Sequence, residues 1–214
     1  MFTRPAVYFI FGTANTGQKD PFQLLEEALK GGVSHFQLRE KGLGALTGQA
    51  LKEFALQCQI LCHSYNVPFI VNDDVDLACD IGADGIHIGQ EDTAASAVKA
   101  RIGDKMILGV SVHSLEEAER AISDGADYLG MGPVYGTKSK SDAKDPSGVA
   151  KIILVKAGFP KTPVIAIGGI TASNAGPVWK AGAEGIAVIS AVTEAENVQE
   201  EVKRLTASYE GEYV

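Results

Sequence analysis

The sequence predicts an α/β protein of the (β/α)8 TIM-barrel class, and three observations support this. A short β-branched or aromatic run is followed by a polar or glycine-rich cluster and then by an amphipathic stretch of helical period, and this unit recurs eight times. Alternating strands and helices indicate a parallel sheet. Eight units in 214 residues leave roughly 27 residues each, which favours a closed barrel. We expect one domain that spans residues 1–214.

The predicted elements follow one another regularly along the chain. Strands are expected at Val7–Phe11, His35–Leu38, Phe69–Val71, Gly85–Ile88, Met106–Val110, Tyr128–Met131, Val164–Ile167 and Gly185–Ile189. Helices are expected at Pro21–Lys30, Leu46–Tyr65, Thr93–Ala100, Ser114–Ser123, Val149–Ala157, Ala172–Lys180 and Glu194–Ser208. An open, doubly wound sheet is the alternative. It would normally carry a G-x-G-x-x-G turn after the first strand, and Gly12–Gly17 does not have that spacing.

Residues that start and stop helices flank these elements. Asp20 followed by Pro21 predicts an N-cap with proline at the first helical position. The run from Ser114 to Glu117 has the spacing of a capping box. A Gly-Ala-Asp/Glu phrase precedes three strands and predicts a helix stop with a tight turn. It begins at Gly82, Gly125 and Gly182.

Composition and charge exclude several classes of protein. Hydrophobic residues make up 45% of the chain and charged residues 21%, as in ordinary globular proteins. The formal net charge of −8 disfavours nucleic acid and anionic membranes as partners. No run of about 18 apolar residues is present, and the N-terminal stretch lacks the pattern of a signal peptide. We therefore expect a cytoplasmic protein; the sequence leaves a homo-oligomer open.

Cysteine and histidine form no recognisable catalytic or metal-binding pattern. The three cysteines make a disulfide framework improbable. Cys58 and Cys62 lie four residues apart without a CxxC pair or a fourth ligand, so buried thiols are favoured over a metal site. No histidine stands in the context of a nucleophilic triad, and a structural role is expected for each. They are His35, His63, His87 and His113.

The two ends of the predicted strands differ in chemistry. The segments that enter the strands are glycine turns, whereas the segments that leave them carry charged, amide and hydroxyl groups. In a (β/α)8 barrel all strand exits meet at one rim, and that rim carries catalysis. This asymmetry favours an enzyme. The loaded exits are Gln37–Lys41, Asn72–Asp74, His87–Asp92, Ser111, Thr137–Lys140, Gly168–Gly169 and Ser190.

Two aspartates on adjacent strand exits form a candidate metal site. Asp73 follows the third strand and Asp92 the fourth. Two carboxylates can share Mg²⁺, which prefers oxygen ligands and keeps waters or phosphate in its other positions. Either aspartate could instead cap the next helix, and for Asp92 alone a cap is as good an interpretation. For Asp74 and Glu91 we expect a capping or solvent role.

Cations after the second strand form a candidate diphosphate site. Arg39 and Lys41 are alternate residues, so both can face the barrel mouth. A planar fork and a point charge suit a diphosphate. A solvated charged loop explains the pair equally well. Gln37 shares their face further inside, where it could contact the polar edge of a ring.

A second phosphate site is expected at the last strand exits. Gly168-Gly169 follows the seventh strand and Ile189-Ser190 the eighth, where barrels often bind phosphate on backbone N–H groups. A tight turn that requires glycine is the alternative. The long connection Gly132–Gly148 contains Thr137-Lys138-Ser139-Lys140, whose hydroxyls and cations are typical of a lid over phosphate. A disordered basic turn is the alternative there.

These exits together resemble the thiamine-phosphate synthase family. The resemblance runs from about Tyr8 to Thr193. Single phrases such as Ile167–Ile170 occur in many phosphate-binding barrels, but the ordered set is specific. The segments that carry it are Gln37–Lys41, Val71–Asp73, His87–Asp92, Gly109–Ser111, Gly132–Lys140 and Ile167–Ile170.

The resemblance implies a reaction and a role for each matching residue. A hydroxymethylpyrimidine diphosphate and a thiazole phosphate would join into thiamine phosphate with release of diphosphate, through a dissociative step in which the thiazole nitrogen attacks a pyrimidine-methyl cation. Mg²⁺ would be held by Asp73 and Asp92. The pyrimidine diphosphate would be bound by Gln37, Leu38, Arg39, Glu40, Lys41, Asn72, Ser111 and Lys140. The catalytic residues among them would be Arg39, Lys41, Ser111 and Lys140. The thiazole phosphate would be bound by Thr137, Lys138, Ser139, Gly169, Ile189 and Ser190.

Two rival functions remain at this point. A thiazole tautomerase shares the barrel and part of the phosphate site but joins nothing; Asp73 and the run Gln90–Asp92 argue against it, because an isomerase has little use for the metal pair. A non-catalytic ligand-binding barrel is the other rival. The polar and charged groups at nearly all strand exits argue against a non-catalytic barrel.

Overall fold

The computed structural model describes residues 2–137, 139 and 145–209, and it contains a closed barrel of eight parallel strands in chain order. Each strand pairs with the next, and β1 closes the ring by pairing with β8. The strands are β1 Ala6–Phe11, β2 His35–Leu38, β3 Phe69–Asn72, β4 Gly85–Ile88, β5 Ile107–Val112, β6 Tyr128–Met131, β7 Val164–Ile167 and β8 Gly185–Val188. The predicted TIM-barrel fold is therefore confirmed.

Helices surround the barrel. They are α1 Pro21–Gly31, α2 Gly48–Ser64, α3 Val75–Ile81, α4 Ala95–Ile102, α5 Leu115–Ser123, α6 Ala150–Gly158, α7 Gly176–Lys180, α8 Ser190–Thr193 and α9 Val198–Ala207. Helix α3, of 7 residues, was not predicted. The predicted closing helix, α9, begins later than expected, because Asn197 caps its start by accepting from the Glu200 N–H, and the short α8 before it was not predicted. None of the helices in the described ranges is long and apolar enough to cross a membrane.

The predicted caps are present, with one change of partner. Asp20 accepts hydrogen bonds from the N–H groups of Phe22 and Gln23 at the start of α1. Ser114 accepts from the Glu117 N–H, as a capping box requires. The Glu117 carboxylate, however, accepts from the His113 N–H at 2.6 Å. The Glu117 side chain thus gives a hydrogen-bond partner to the backbone N–H of His113, the residue before the N-cap, and not to that of Ser114.

Alternate strand residues build two separate cores. Side chains such as Phe9 and Phe36 point outward and pack under the helices, together with the buried, unpaired thiols of Cys58 and Cys62. Side chains such as Tyr8 and Ile70 point inward and fill the barrel. Since the interior is filled with side chains, ligands have access only at the ends of the strands.

The end of the barrel away from the strand exits is closed by a histidine and an aromatic ring. Phe2 stacks on His35, with ring centroids 4.0 Å apart. His35 is 4% exposed, and its Nε2 has no hydrogen-bond partner among the described residues. Burial lowers the pKa of His35 to about 4. The imidazole is therefore neutral in the folded protein at neutral pH.

This buried histidine predicts a loss of stability in mild acid. The unfolded chain has the ordinary histidine pKa near 6.5, so it binds a proton that the fold excludes between pH 6.5 and about 4. Lowering the pH from 7 to 5 is expected to reduce the free energy of unfolding by about 2 kcal/mol through this residue. Urea unfolding at the two pH values measures it.

The matching variants isolate His35. His35→Leu should remove this part of the pH dependence. His63→Asn should keep it, because His63 is exposed and His35 is intact. An unchanged pH dependence in His35→Leu would contradict the assignment.

Candidate active site

The strand exits enclose a cavity of about 260 Å³ at the carboxyl end of the barrel. It lies where catalytic sites of this fold occur. Of the predicted residues, its walls include Lys41, Asp92, Ser111, Thr137, Ser139, Gly169, Ile189 and Ser190. They also include Gln90, Glu91, His113 and Pro133, which were not predicted to bind a ligand.

The two predicted metal-binding aspartates lie on neighbouring exits. Asp73 follows β3 in a left-handed conformation, with φ +62°, and its N–H donates to the carbonyl of His87 on β4 at 2.8 Å. A left-handed aspartate is uncommon and is often found at functional sites. Asp92 does not cap α4, which begins at Ala95. Its Oδ2 instead accepts from the Gly89 N–H at 2.7 Å.

The electrostatics of the aspartate pair fit a hard divalent cation. Burial raises the pKa of the Asp73 carboxyl, the Lys41 ammonium opposes this rise, and the nearby Asp92 carboxylate adds to it. Two carboxylates that disfavour each other's charge gain from a shared cation. Within the described residues, no three His, Cys, Asp or Glu side chains are grouped closely enough to hold a metal. Mg²⁺ commonly takes one or two carboxylates and completes its coordination with phosphate, so the donor chemistry of the pair fits this ion.

The residues at the exit of β2 differ in their surroundings, and among Gln37 to Lys41 only Lys41 lines the cavity. The Lys41 ammonium pairs with the Asp73 carboxylate. Gln37 is 1% exposed inside the barrel, and Leu38 points into the outer core. The Arg39 N–H donates to the Phe11 carbonyl at 3.0 Å, which fixes the start of the loop.

Glu40 braces two loops. Its carboxylate accepts from the N–H of Thr13 at 2.7 Å and from the N–H of Leu46 at 2.9 Å. It also accepts from the Thr13 hydroxyl. These contacts join the exit loops of β1 and β2, and the side chains of Leu38 and Glu40 do not line the cavity.

The opposite wall has the features of a phosphate cradle. Gly168 and Gly169 have φ values of +106° and +61°, and a Cβ on Gly169 would meet the Gly136 carbonyl. Glycine is required here both for conformation and for space. The Ser139 hydroxyl donates to the Ser190 hydroxyl at 3.0 Å, and the Ser139 N–H donates to Thr137 Oγ1 at 3.2 Å. Hydroxyls from two exits therefore meet beside the glycine turn.

The structure brings the remaining predicted residues only partly together. Ser111 lines the cavity, and its carbonyl accepts from Gln90 Nε2 at 2.7 Å. Asn72 ends β3, half-buried, outside the cavity lining. Lys138 and Lys140 lie outside the described residues. His113 was expected to be structural, yet it lines the cavity and its Nδ1 contacts the Gly132 carbonyl at 2.8 Å.

Comparison with known proteins places this site in a family. A family model described as thiamine monophosphate synthase matches residues 7–192. The chain is 52% identical to a thiamine-phosphate synthase of Lysinibacillus sphaericus over 92% of each chain. It is 55% identical to that of Bacillus licheniformis, over 89% of this chain and 84% of the relative. A thiamine phosphate pyrophosphorylase from Pyrococcus furiosus superposes with a TM-score of 0.84 and 35% identity, covering 98% and 97% of the two chains. With the family model covering most of its length and close relatives along nearly all of it, the chain belongs to the thiamine monophosphate synthase family.

Proposed function

We propose that this protein is a Mg²⁺-dependent transferase that joins a hydroxymethylpyrimidine diphosphate to a thiazole phosphate, giving thiamine phosphate and diphosphate. One observation carries the proposal. Asp92 and Lys41, whose ammonium pairs with Asp73, line the same cavity as a glycine–serine cradle. Two phosphorylated substrates need two such anion sites. The names of the relatives support the same reaction.

On the proposed diphosphate side, charge must be neutralised as the leaving group departs. Asp73 and Asp92 would hold Mg²⁺, which when bound supplies positive charge to the diphosphate oxygens. Arg39, Lys41 and the Ser111 hydroxyl would bind the same oxygens, with Lys140 as a further cation. Asn72 would add an amide contact, and Gln37 would face the pyrimidine ring.

Two residues take a smaller part in this proposal. The side chain of Leu38 belongs to the outer core, and the Glu40 carboxylate is engaged by Thr13 and Leu46. Any contact of Leu38 or Glu40 with the substrate would therefore run through the backbone. Their side chains support the site by fixing the loop that carries Arg39 and Lys41.

On the thiazole side, the cradle would hold the phosphate and direct the ring towards the diphosphate side. Backbone N–H groups near Gly169 and Ile189, with the hydroxyls of Thr137, Ser139 and Ser190, are suitable donors to phosphate. Lys138 is proposed to add a cation.

The proposed chemistry needs no strong base. The bond between the pyrimidine methylene carbon and the diphosphate oxygen breaks, and the electron pair leaves with diphosphate. The thiazole nitrogen then forms the new C–N bond with its own lone pair. The site needs only to stabilise the leaving group and to hold two rings in line, which agrees with the absence of a nucleophilic triad among the predicted residues.

A coupling assay tests the function. The purified protein, mixed with both phosphorylated substrates and Mg²⁺, is expected to release diphosphate and form thiamine phosphate in equal amounts, measured by chromatography. Omission of Mg²⁺ or addition of a chelator should stop the reaction. Isomerisation of the thiazole phosphate without coupling would instead identify a tautomerase.

A single-domain chain, a cytoplasmic location and a homo-oligomer stay predictions.

A further inference from the structure

A chain of hydrogen bonds crosses the barrel interior and ends at the cavity. Gln37 Nε2 donates to the Tyr8 hydroxyl at 3.1 Å, and the Tyr8 and Tyr128 hydroxyls are 2.8 Å apart. The Tyr128 hydroxyl lies 2.9 Å from His87 Nδ1. His87 Nε2 lies 2.8 Å from Ser111 Oγ, which belongs to the cavity wall. Five strands contribute one residue each.

The direction of the chain follows from the requirement that every buried proton in it has a hydrogen-bond partner. The Gln37 amide donates to Tyr8, and for the buried Tyr8 proton to have a partner it must go to the Tyr128 oxygen. The Tyr128 proton then goes to His87 Nδ1. An imidazole that accepts at Nδ1 is neutral and carries its proton on Nε2, from which it donates to Ser111 Oγ. The Ser111 oxygen is then the acceptor in this contact, so the Ser111 proton points away from His87.

We propose that Tyr8, Tyr128 and His87 are positioning residues that make the Ser111 hydroxyl an obligate donor towards the diphosphate of the substrate. This inference rests on the proposed function, because it assigns the recipient of the Ser111 proton. A hydroxyl that could also donate to His87 would spend part of its time turned away from the anion. The ordered chain removes that alternative before the substrate arrives, which is preorganisation of a charge-assisted hydrogen bond.

Two glycines leave the space that the chain occupies. A Cβ on Gly109 would collide with the Tyr128 ring and hydroxyl. A Cβ on Gly130 would lie 2.8 Å from His87 Cε1 and 3.7 Å from Ser111 Oγ. Both glycines lie in strands, where glycine is disfavoured unless something approaches closely. The close approach here is that of the polar chain.

The environment of the two tyrosines keeps their protons in place. Both are fully buried, and burial raises the pKa of each phenol well above its usual range. Each therefore stays a neutral phenol with one proton to donate. A buried network whose members are all satisfied is rigid.

The tautomer of His87 is the first test, and it needs no substrate. Nitrogen NMR of the ¹⁵N-histidine-labelled, ligand-free protein distinguishes Nε2–H from Nδ1–H, and His87→Gln assigns the signal. We expect a neutral His87 with its proton on Nε2. In Tyr128→Phe, a measurable share of the Nδ1–H form should appear. A wild-type His87 with its proton on Nδ1 overturns the proposal.

A matched pair of tyrosine variants is the second test. Tyr128→Phe removes the donor to His87 and should lower kcat about 10-fold or more, with the KM for thiazole phosphate unchanged. Tyr8→Phe removes a hydroxyl from the same interior but leaves Tyr128 able to donate to His87, so its loss should be several-fold smaller. Equal losses in both variants overturn the proposal. A wild-type protein that forms no thiamine phosphate refutes the proposed function instead, while the NMR result still decides the direction of the chain.

Discussion

Asp92→Asn is expected to lower kcat/KM for the pyrimidine diphosphate at least about 100-fold while leaving the fold intact. The asparagine keeps an oxygen that can accept from the Gly89 N–H, so the turn after β4 should survive. What it loses is one of two adjacent negative charges that favour a shared cation. Steady-state kinetics measures the activity. Binding of Mn²⁺ followed by electron paramagnetic resonance measures the metal directly.

Asp74→Asn is the matched control for this prediction. Asp74 adjoins Asp73 in sequence, but its carboxylate caps α3 by accepting from the Leu77 N–H at 2.9 Å. Asparagine is an equally good N-cap, so activity and Mn²⁺ affinity should stay within about two-fold of wild type. Wild-type turnover in Asp92→Asn would contradict the metal assignment and return Asp92 to a purely structural role in its turn.

Gly169→Ala is expected to raise the KM for thiazole phosphate about 10- to 100-fold, through the loss of charge-assisted hydrogen bonds to phosphate. A Cβ here would meet the Gly136 carbonyl and lie 3.0 Å from Tyr135 Cβ, so the β6 loop must move away from the glycine turn. That loop carries Thr137 and Ser139. Binding of the pyrimidine diphosphate, measured by calorimetry, should change little.

Gly182→Ala separates backbone strain from damage to the site. Gly182 also has a positive φ, of +95°, but it lies in the turn before β8, at the opposite end of the barrel. Alanine there should cost about 1 kcal/mol of stability and leave both KM values unchanged. If Gly169→Ala behaved like Gly182→Ala, the glycine turn would not be a phosphate site.

The sequence predicted the fold well because its strands are short, apolar and regularly spaced. It did not predict α3, because the seven residues that follow Asp74 are too few to display a helical period. It placed the start of α7 too early, because the Thr171 N–H donates to the Asn174 side chain and this turn occupies the first predicted residues. Helix length decided the first difference, and a local side-chain hydrogen bond decided the second.

Candidate site residues can be predicted from sequence where the residue type indicates a role, and not where the folded geometry decides it. Paired aspartates and glycines at strand exits are visible in sequence. The bracing role of Glu40 is not, because its contact with Thr13 joins positions far apart in the chain. The connection of Tyr8, Tyr128 and His87 was equally hidden, since alternation within strands shows only that their side chains point inward.

The order of strands around the barrel has a consequence for how the two specificities can vary. Apart from Lys140, the residues proposed for the pyrimidine diphosphate lie at the carboxyl ends of β2 to β5. Those proposed for the thiazole phosphate lie at the carboxyl ends of β6 to β8. Apart from Lys140, which follows β6, each substrate would thus have its own half-barrel, and the two halves adjoin at β5 and β6. Substitutions confined to one half can change the affinity for one substrate while the affinity for the other substrate is kept. Only the seams between the halves, where the two rings would meet, must serve both.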